Sequence, residues 1–235
     1  MDKAIVAVST KKTLLVFARK PRPGAVKTRL TPPLSPEEAA DLYRCMIQDT
    51  LASQGNVAGV ETVICFEEGP GAQDYFAALA TGLPLRAQEG EGLTERLTAA
   101  FAAAFRDGAT SVAAIGSDAP DLPPELIAEA FQRLESAQAD VVFGPTGDGG
   151  YYLVALGKFH PALFADIPWS TDQVLVNSLA RAAEAGLRTA LLPPWHDIDT
   201  VEDLRTFADR PAGTLGRLTR AFIRDHALHE RNTIP

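Results

Sequence analysis

Cysteine and long apolar runs are both scarce in this sequence. The two cysteines, Cys45 in a helical pattern and Cys65 in an apolar strand pattern, have no metal-ligand spacing, so we interpret them as core thiols in a reducing compartment. No window has the roughly 18 uninterrupted apolar residues that a membrane helix needs. Residues 1–20 lack the charged, apolar and small-residue order of a secretion signal. We therefore expect a cytoplasmic protein with no membrane partner.

Two common catalytic motifs are also missing. The chain contains no Gly-x-x-x-x-Gly-Lys-Ser/Thr loop and no Gly-x-Ser-x-Gly turn, so the sequence indicates neither a P-loop NTPase nor a serine hydrolase. The formal net charge is -8. A surface of that sign repels an extended phosphate backbone, which argues against a nucleic-acid partner.

One interval of this acidic chain has no acidic residue. Between Asp2 and Glu37 every charged side chain is a Lys or Arg. The apolar run 13–18 in this interval is predicted to be a central strand, and two prolines and a glycine make the following segment 19–30 a loop. Its basic side chains suit a small polyanion such as a nucleotide phosphate. A solvated basic loop is the alternative interpretation.

The residues 111–122 form a second candidate centre. An apolar run ends on Gly116-Ser117-Asp118, which predicts a buried strand with a carboxylate at its carboxyl end, the edge where α/β sheets bind ligands. A carboxylate held in this way suits Mg²⁺ or Mn²⁺. Asp118 is alternatively a cap of the following helix.

Strand and helix patterns alternate along the chain, which predicts an α/β fold with a mostly parallel sheet and helices on both faces. The turn 146–150 is too short for a parallel crossover, so strand 151–156 is predicted to be antiparallel. We expect a single domain over residues 1–235, with a core from about 13 to 207. A C-terminal helix over about 213–229 is a candidate homodimer contact. The expected strands are 13–18, 61–66, 84–88, 111–116, 140–145, 151–156 and 188–192, and the expected helices begin near 35, 72, 93, 123, 171, 201 and 213.

Further candidates lie in turns at the same predicted edge. Gln88 and the turn to Gly92 could contact a nucleobase, or form a plain strand-to-helix turn. The glycines of Asp148-Gly149-Gly150 permit close backbone approach to a ligand, or simply a hairpin. The aromatic residues Tyr151, Tyr152 and Trp169 line a second, apolar subsite or belong to the core.

Several short motifs follow one another along the chain. They are Lys27-Thr28-Arg29-Leu30, Gly116-Ser117-Asp118, Gly144-Pro145, Asp148-Gly149-Gly150-Tyr151-Tyr152-Leu153, Trp169-Ser170-Thr171 and Asp197-Ile198-Asp199-Thr200 with Asp203-Leu204. In this order they resemble a bacterial GT-A-type family of nucleotide-diphospho-sugar transferases, some of them glycosyltransferases of arsenosugar biosynthesis. The resemblance covers about residues 13–207. A broader similarity is to molybdopterin and phospholactate guanylyltransferases, which share the fold.

The resemblance implies a single-domain GT-A (Rossmann-like) fold and a phosphate and metal site. Arg19, Lys27 and Arg29 would hold the phosphates, Asp118 would bind Mg²⁺ or Mn²⁺, and Asp199 would be a second metal position. The chain departs from the GT-A pattern because Gly116 stands in place of the first acid of Asp-x-Asp.

We accordingly expect a glycosyltransferase that moves a sugar from a nucleotide-diphospho-sugar to a small-molecule acceptor. The alternatives are an NTP-dependent nucleotidyltransferase that releases pyrophosphate and a nucleotide-binding module without turnover. The expected catalytic residues are Lys27, Asp118 and Asp148, the last as a base. The expected substrate-binding residues are Arg19, Lys27, Arg29, Gln88, Gly92, Gly149, Gly150, Trp169 and Ser170.

Overall fold

Seven strands form one sheet in this structure, a computed structural model that describes residues 10–55, 57–211 and 213–226. The strands are β1 (Lys12–Ala18), β2 (Val60–Phe66), β3 (Leu85–Ala87), β4 (Ser111–Ile115), β5 (Val141–Pro145), β6 (Tyr151–Leu156) and β7 (Thr189–Leu191). Their order across the sheet is β3-β2-β1-β4-β6-β5-β7.

All strand pairs are parallel except those of β6, which runs antiparallel to both β4 and β5. The connection between β5 and β6 is too short to return the chain to the other edge of the sheet, so β6 must reverse direction. The predicted fold class, a mostly parallel α/β sheet with one antiparallel strand, is confirmed.

Helices cover both faces of the sheet. Leu14 on β1 packs in one buried cluster with Phe131, whereas Leu15 packs in another with Phe101, because successive side chains of a strand point to opposite faces. The helices are α1 (Pro36–Gln54), α2 (Ala72–Leu79), α3 (Leu93–Arg106), α4 (Pro124–Glu135), α5 (Val174–Glu184), α6 (Val201–Asp209) and α7 (Arg217–Asp225), with 3-10 turns at Thr28–Leu30 and Pro161–Phe164.

The start of α5 differs from the sequence prediction. Helix α5 begins at Val174 rather than near 171, and neither Ser170 nor Thr171 is its N-cap. Ser170 has a φ of 63°, which a right-handed helix does not allow. Thr171 instead accepts a hydrogen bond from the Gln173 backbone N–H at 3.2 Å, which forms a separate turn.

The C-terminal helix is shorter than predicted and packs on α1. Gly216 precedes α7 with no side chain to cap it, and the buried Asp49 of α1 performs that role. Its carboxylate accepts hydrogen bonds from the backbone N–H groups of Leu218 at 3.0 Å and Thr219 at 2.8 Å, which satisfies the helix N-terminus. Residues 227–229 of the predicted helix and 1–9 of the predicted domain lie outside the described residues. The proposed dimer contact stays a prediction.

None of the helices in the described ranges is both long and apolar enough to cross a bilayer.

Candidate functional site

One open cleft of about 970 Å³ lies along the edge where the parallel strands end. It is lined by the loops that follow β1, β3, β4 and β7, and by the turn between β5 and β6. The carboxyl edge of an α/β sheet is where such folds bind ligands. Its volume is at the upper end of small-molecule sites.

Lys27 lies at the centre of this cleft with its side chain only 5% exposed. Its φ of 49° and ψ of 38° are left-handed, an uncommon conformation for a residue with a side chain. The ammonium group lies 2.5 Å from Asp118 Oδ1 and 2.7 Å from Asp199 Oδ1. It also donates to the Ile198 carbonyl oxygen at 2.7 Å. Residues at three distant positions in the chain therefore meet at one nitrogen atom.

The two carboxylates keep this lysine charged. Burial lowers the pKa of Lys27, but the charges of Asp118 and Asp199 outweigh that effect, so the pKa is raised overall. An ammonium group with a raised pKa cannot serve as a base near neutral pH. Lys27 is therefore a fixed positive charge in the cleft.

Asp118 and Asp199 also leave surface open for a ligand. Their side chains are 40% and 48% exposed, and Lys27 contacts only one oxygen of each. Two carboxylates with free oxygens suit a hard divalent cation whose remaining ligands come from phosphate and water. Among the described residues, no three His, Cys, Asp or Glu side chains are grouped as a ready metal site. Such a cation would thus depend on ligands from its substrate.

A third carboxyl group, Asp197, faces the same cleft. Burial, followed by the charges of Asp118 and Asp199, raises the pKa of Asp197 to about 7. This group therefore exchanges a proton in the physiological range.

Tyr43 of α1 contacts the loop 19–30 that follows β1. Its hydroxyl accepts the Arg19 backbone N–H at 3.2 Å and lies 2.8 Å from the Ser117 hydroxyl, while Lys27 lies 5.7 Å above its ring. Burial, and then the charge of Asp118, raises the pKa of Tyr43 to about 12. The neutral hydroxyl thus joins the loops after β1 and β4.

The predicted phosphate-binding arginines line the cleft at its outer side. Arg19 and Arg29 are both exposed there, and Arg19 Nε lies 3.5 Å from Glu67. Arg96 pairs with the same glutamate at 2.9 Å. Arg19, Arg29 and Lys27 thus line one cleft, and their role in phosphate binding stays a prediction.

The polar groups of Gln88 and Gly92 that were predicted to contact a nucleobase form hydrogen bonds within the protein. The Gln88 side-chain amide donates to the Cys65 carbonyl oxygen at 2.7 Å, so it bonds to β2. The Gly92 N–H donates to Glu95 at 2.9 Å, as part of the start of α3. Gln88 still lines the cleft, and a role for either residue in base recognition stays a prediction.

Gly149 closely approaches the protein backbone rather than the space open to a ligand. It has a φ of 87°, and a Cβ there would lie 2.1 Å from the Asp172 carbonyl oxygen. Asp148, Gly150, Trp169 and Ser170 line the cleft, whereas Gly149 lies behind it. The glycine therefore holds the 146–150 turn against the loop before α5.

Among the residues that line the cleft but were absent from the predicted site are Tyr43, Glu67 and Arg96. Glu67 directly follows β2 just as Asp118 follows a strand, so strand-end position was a usable signal for it. The helical residues Tyr43 and Arg96 gave no such signal, because they reach the cleft only through tertiary packing.

The fold and the cleft define an α/β protein of the nucleotidyltransferase and sugar-transferase type. The chain belongs to the family described as "Uncharacterized protein conserved in bacteria (DUF2064)", which matches residues 50–171. Phosphoenolpyruvate guanylyltransferase of Rhodococcus erythropolis is 30% identical in an alignment of 218 residues that covers 83% of this chain and 91% of that protein.

Two solved structures are also similar. A protein of Desulfovibrio desulfuricans G20, provisionally described as a nucleotide-diphospho-sugar transferase, is 33% identical with a TM-score of 0.88, covering 96% of this chain and all of the other. CMP:2-keto-3-deoxy-manno-octonic acid synthetase, complexed with CTP, is 17% identical with a TM-score of 0.54, over 92% of this chain and 100% of that chain. The second likeness concerns the fold alone. The guanylyltransferase relative supports the nucleotidyl-transfer alternative at least as well as the glycosyl transfer predicted from the sequence.

Proposed function

We propose that this protein is a nucleotidyltransferase that uses a nucleoside triphosphate and releases pyrophosphate. In this reaction an acceptor oxygen forms a bond to the α-phosphorus. The bond from that phosphorus to the bridging oxygen breaks, and pyrophosphate leaves with the electron pair. The observation that carries the proposal is the buried Lys27 ammonium held between Asp118 and Asp199, in a chain related over most of its length to a guanylyltransferase.

Asp118 and Asp199 would hold Mg²⁺ or Mn²⁺ through the oxygens that Lys27 does not contact. The cation would neutralise charge on the phosphate oxygens during transfer. Carboxylates are the ligands that such hard cations prefer, which is why we propose these two residues as the metal ligands.

Lys27 would stabilise the charge that develops on the phosphate oxygens, since its ammonium is fixed before any ligand enters. A preorganised donor of this kind contributes about 3–4 kcal/mol to a transition state. Arg19 and Arg29, on the outer side of the cleft, would bind the β- and γ-phosphates with their forked N–H groups. These three basic side chains would thus position the triphosphate and neutralise its charge.

The remaining predicted residues have roles that depend on the acceptor. Asp148 would act as a base only for a hydroxyl acceptor, because a phosphate oxygen is already ionised near neutral pH. Gln88 and Gly92 would lie beside the base, and Gly150, Trp169 and Ser170 beside the acceptor. Gly149 would act indirectly, by shaping the turn.

Glycosyl transfer is the second candidate, because the structure from D. desulfuricans that is 33% identical is described as a nucleotide-diphospho-sugar transferase. In that reaction a nucleoside diphosphate would leave, and the acceptor hydroxyl would need Asp148.

Pyrophosphate release separates the candidates. Purified protein with Mn²⁺ is incubated with each of the four NTPs and a panel of phosphorylated acceptors, and separately with a panel of nucleotide sugars. We expect pyrophosphate from at least one NTP, first of all GTP. Asp118→Asn should lower kcat at least 100-fold, while Asp166→Asn, at an exposed surface ion pair with Arg181, should not change it. Turnover of nucleotide sugars alone would favour the second candidate, and nucleotide binding with no turnover of either panel would favour a non-catalytic module.

A further inference from the structure

Lys27 is central in the cleft, and the arginines that line the cleft lie on one side of it. Arg19 and Arg29 come from the loop after β1, and Arg96 of α3 pairs with Glu67, directly after β2. This half, built around β1–β3, is the one that suits a triphosphate.

The other half, which adjoins β5, β6 and the start of α5, has a different character. Its charged lining residues are Asp148 and Asp172, both acids. Tyr151 and Trp169 supply aromatic surface. Within the described ranges, no Lys, Arg or His lines this half.

Two arginines of neighbouring elements pair with acids away from the cleft. Arg181 of α5 pairs with Asp166 and Glu184. Arg188, at the start of β7, pairs with Asp140 at 2.8 Å, on the opposite edge of the sheet from the cleft.

The aromatic surface is fixed in place. The indole N–H of Trp169 donates to the Thr94 hydroxyl at 2.8 Å, and its ring meets Tyr151 edge-on at 6.2 Å. Asp148 is also oriented, because its Oδ1 accepts from the Thr146 hydroxyl at 2.6 Å and the Gly150 N–H at 3.2 Å. Its other oxygen is left to accept a hydroxyl hydrogen.

We infer that the acceptor has an uncharged, hydroxyl-bearing body with an apolar face, as in a sugar phosphate whose phosphate is the nucleophile. This inference rests on the proposed function. The phosphate would point toward Lys27 and the ring would lie against Trp169, with a hydroxyl donating to Asp148. A second anionic group on the acceptor body, about 5 Å from Asp148, would weaken binding by about tenfold, because Asp148 is exposed and solvent screens the repulsion.

The test compares acceptors that differ in one charge. With the preferred NTP saturating and Mn²⁺ present, kcat/KM for pyrophosphate release is measured for glucose, galactose and mannose 1-phosphates, for the matching uronate 1-phosphates and for phosphoenolpyruvate. We expect each neutral sugar that is used to exceed its uronate by at least tenfold. A uronate or phosphoenolpyruvate that matches the best neutral sugar overturns the inference.

Two variants locate the effect. Trp169→Ala should lower kcat/KM for the sugar phosphate at least tenfold with the Kd of the NTP unchanged. Asp148→Lys should improve the uronate relative to the sugar, whereas Asp166→Lys, outside the cleft, should not. Unchanged selectivity in Asp148→Lys would contradict the assignment of this half.

Failure of the proposed function gives a different result. If no NTP releases pyrophosphate with any acceptor, the nucleotidyl-transfer proposal fails. Binding of the acceptor is then measured by the quenching of tryptophan fluorescence. Quenching that is absent in Trp169→Phe comes from Trp169. Quenching by a hexose 1-phosphate but not by phosphoenolpyruvate supports the acceptor inference, and any other pattern overturns it.

Discussion

Replacing Lys27 by methionine tests the central contact of the cleft. Methionine has a similar length but no charge, so Asp118 and Asp199 would face each other without a cation. Their oxygens lie within 2.5 and 2.7 Å of one nitrogen, so they are at most about 5 Å apart. At an effective dielectric constant of about 20 their repulsion is about 3 kcal/mol.

Two further effects modify this figure. Both carboxylates are partly exposed, so solvent screening reduces the repulsion to about 1–2 kcal/mol. The Ile198 carbonyl oxygen loses the lysine N–H, at a cost of about 1 kcal/mol. We therefore expect Lys27→Met to lower the free energy of unfolding by about 2 kcal/mol.

Urea denaturation at pH 7 with a chelator measures this loss. Adding 5 mM Mn²⁺ should restore about 1 kcal/mol if the cation binds the two carboxylates with a Kd of about 1 mM. Lys20→Met is the matched control, because Lys20 is only partly buried and its ammonium group donates to the Pro70 carbonyl oxygen rather than to a carboxylate. A loss below about 0.5 kcal/mol, or an equal loss in the control, would show that the carboxylates do not depend on Lys27.

Three other predictions concern the support of the cleft. Gly149→Ala should destabilise the protein by about 2 kcal/mol or more, because Gly149 has a positive φ and a Cβ there would lie 2.1 Å from a carbonyl oxygen. Gly147→Ala is the control, since a Cβ there meets nothing within 4 Å. It should change urea stability by less than about 0.5 kcal/mol. Since the pKa of Asp197 is raised from 3.8 to about 7, the folded state binds more protons than the unfolded state in that window. The stability from this group is present below about pH 4 and lost as the pH rises to about 7. In chelator, urea stability should therefore decline more steeply between these pH values in the wild type than in Asp197→Asn, and parallel curves would contradict the shift. Asp121 accepts the Trp195 indole N–H at 3.2 Å and pairs with Arg210 at 3.1 Å. Asp121→Asn keeps an acceptor for Trp195 but removes the negative charge beside Arg210, so it should lower the free energy of unfolding in urea by about 3 kcal/mol. A loss below about 0.5 kcal/mol would contradict the importance of this ion pair.

Much of the sheet follows from the sequence because its strands are buried apolar runs. The five-residue turn 146–150 predicts the antiparallel strand for a purely geometric reason. The start of α5 could not be predicted in this way, because Ser170 and Thr171 are good caps in isolation. The turn there is set by contact with Gly149, which lies far enough away that only the folded chain shows it.

The position of the candidate site at one edge of the sheet can be predicted from the sequence, but the contact of Lys27 with two carboxylates cannot. Strand ends place Asp118, Asp199 and the basic loop at one edge. The left-handed backbone of Lys27, which turns its ammonium group between two carboxylates, depends on loops separated by 172 residues. Sequence patterns carry no information on such a pairing without the packing of the helices around it.

The charge balance at this contact decides how a nucleotide would enter. Asp118, Asp199 and an ionised Asp197 together exceed the single charge of Lys27, so the floor of the cleft is negative above about pH 7. A free triphosphate would be repelled there even though Arg19 and Arg29 attract it at the outer side. A divalent cation carried by the nucleotide removes that repulsion and gains two carboxylate ligands. Nucleotide affinity of the wild type should therefore rise steeply with the Mn²⁺ concentration. In Asp199→Asn the rise should be weaker, because that variant removes one negative charge from the floor of the cleft.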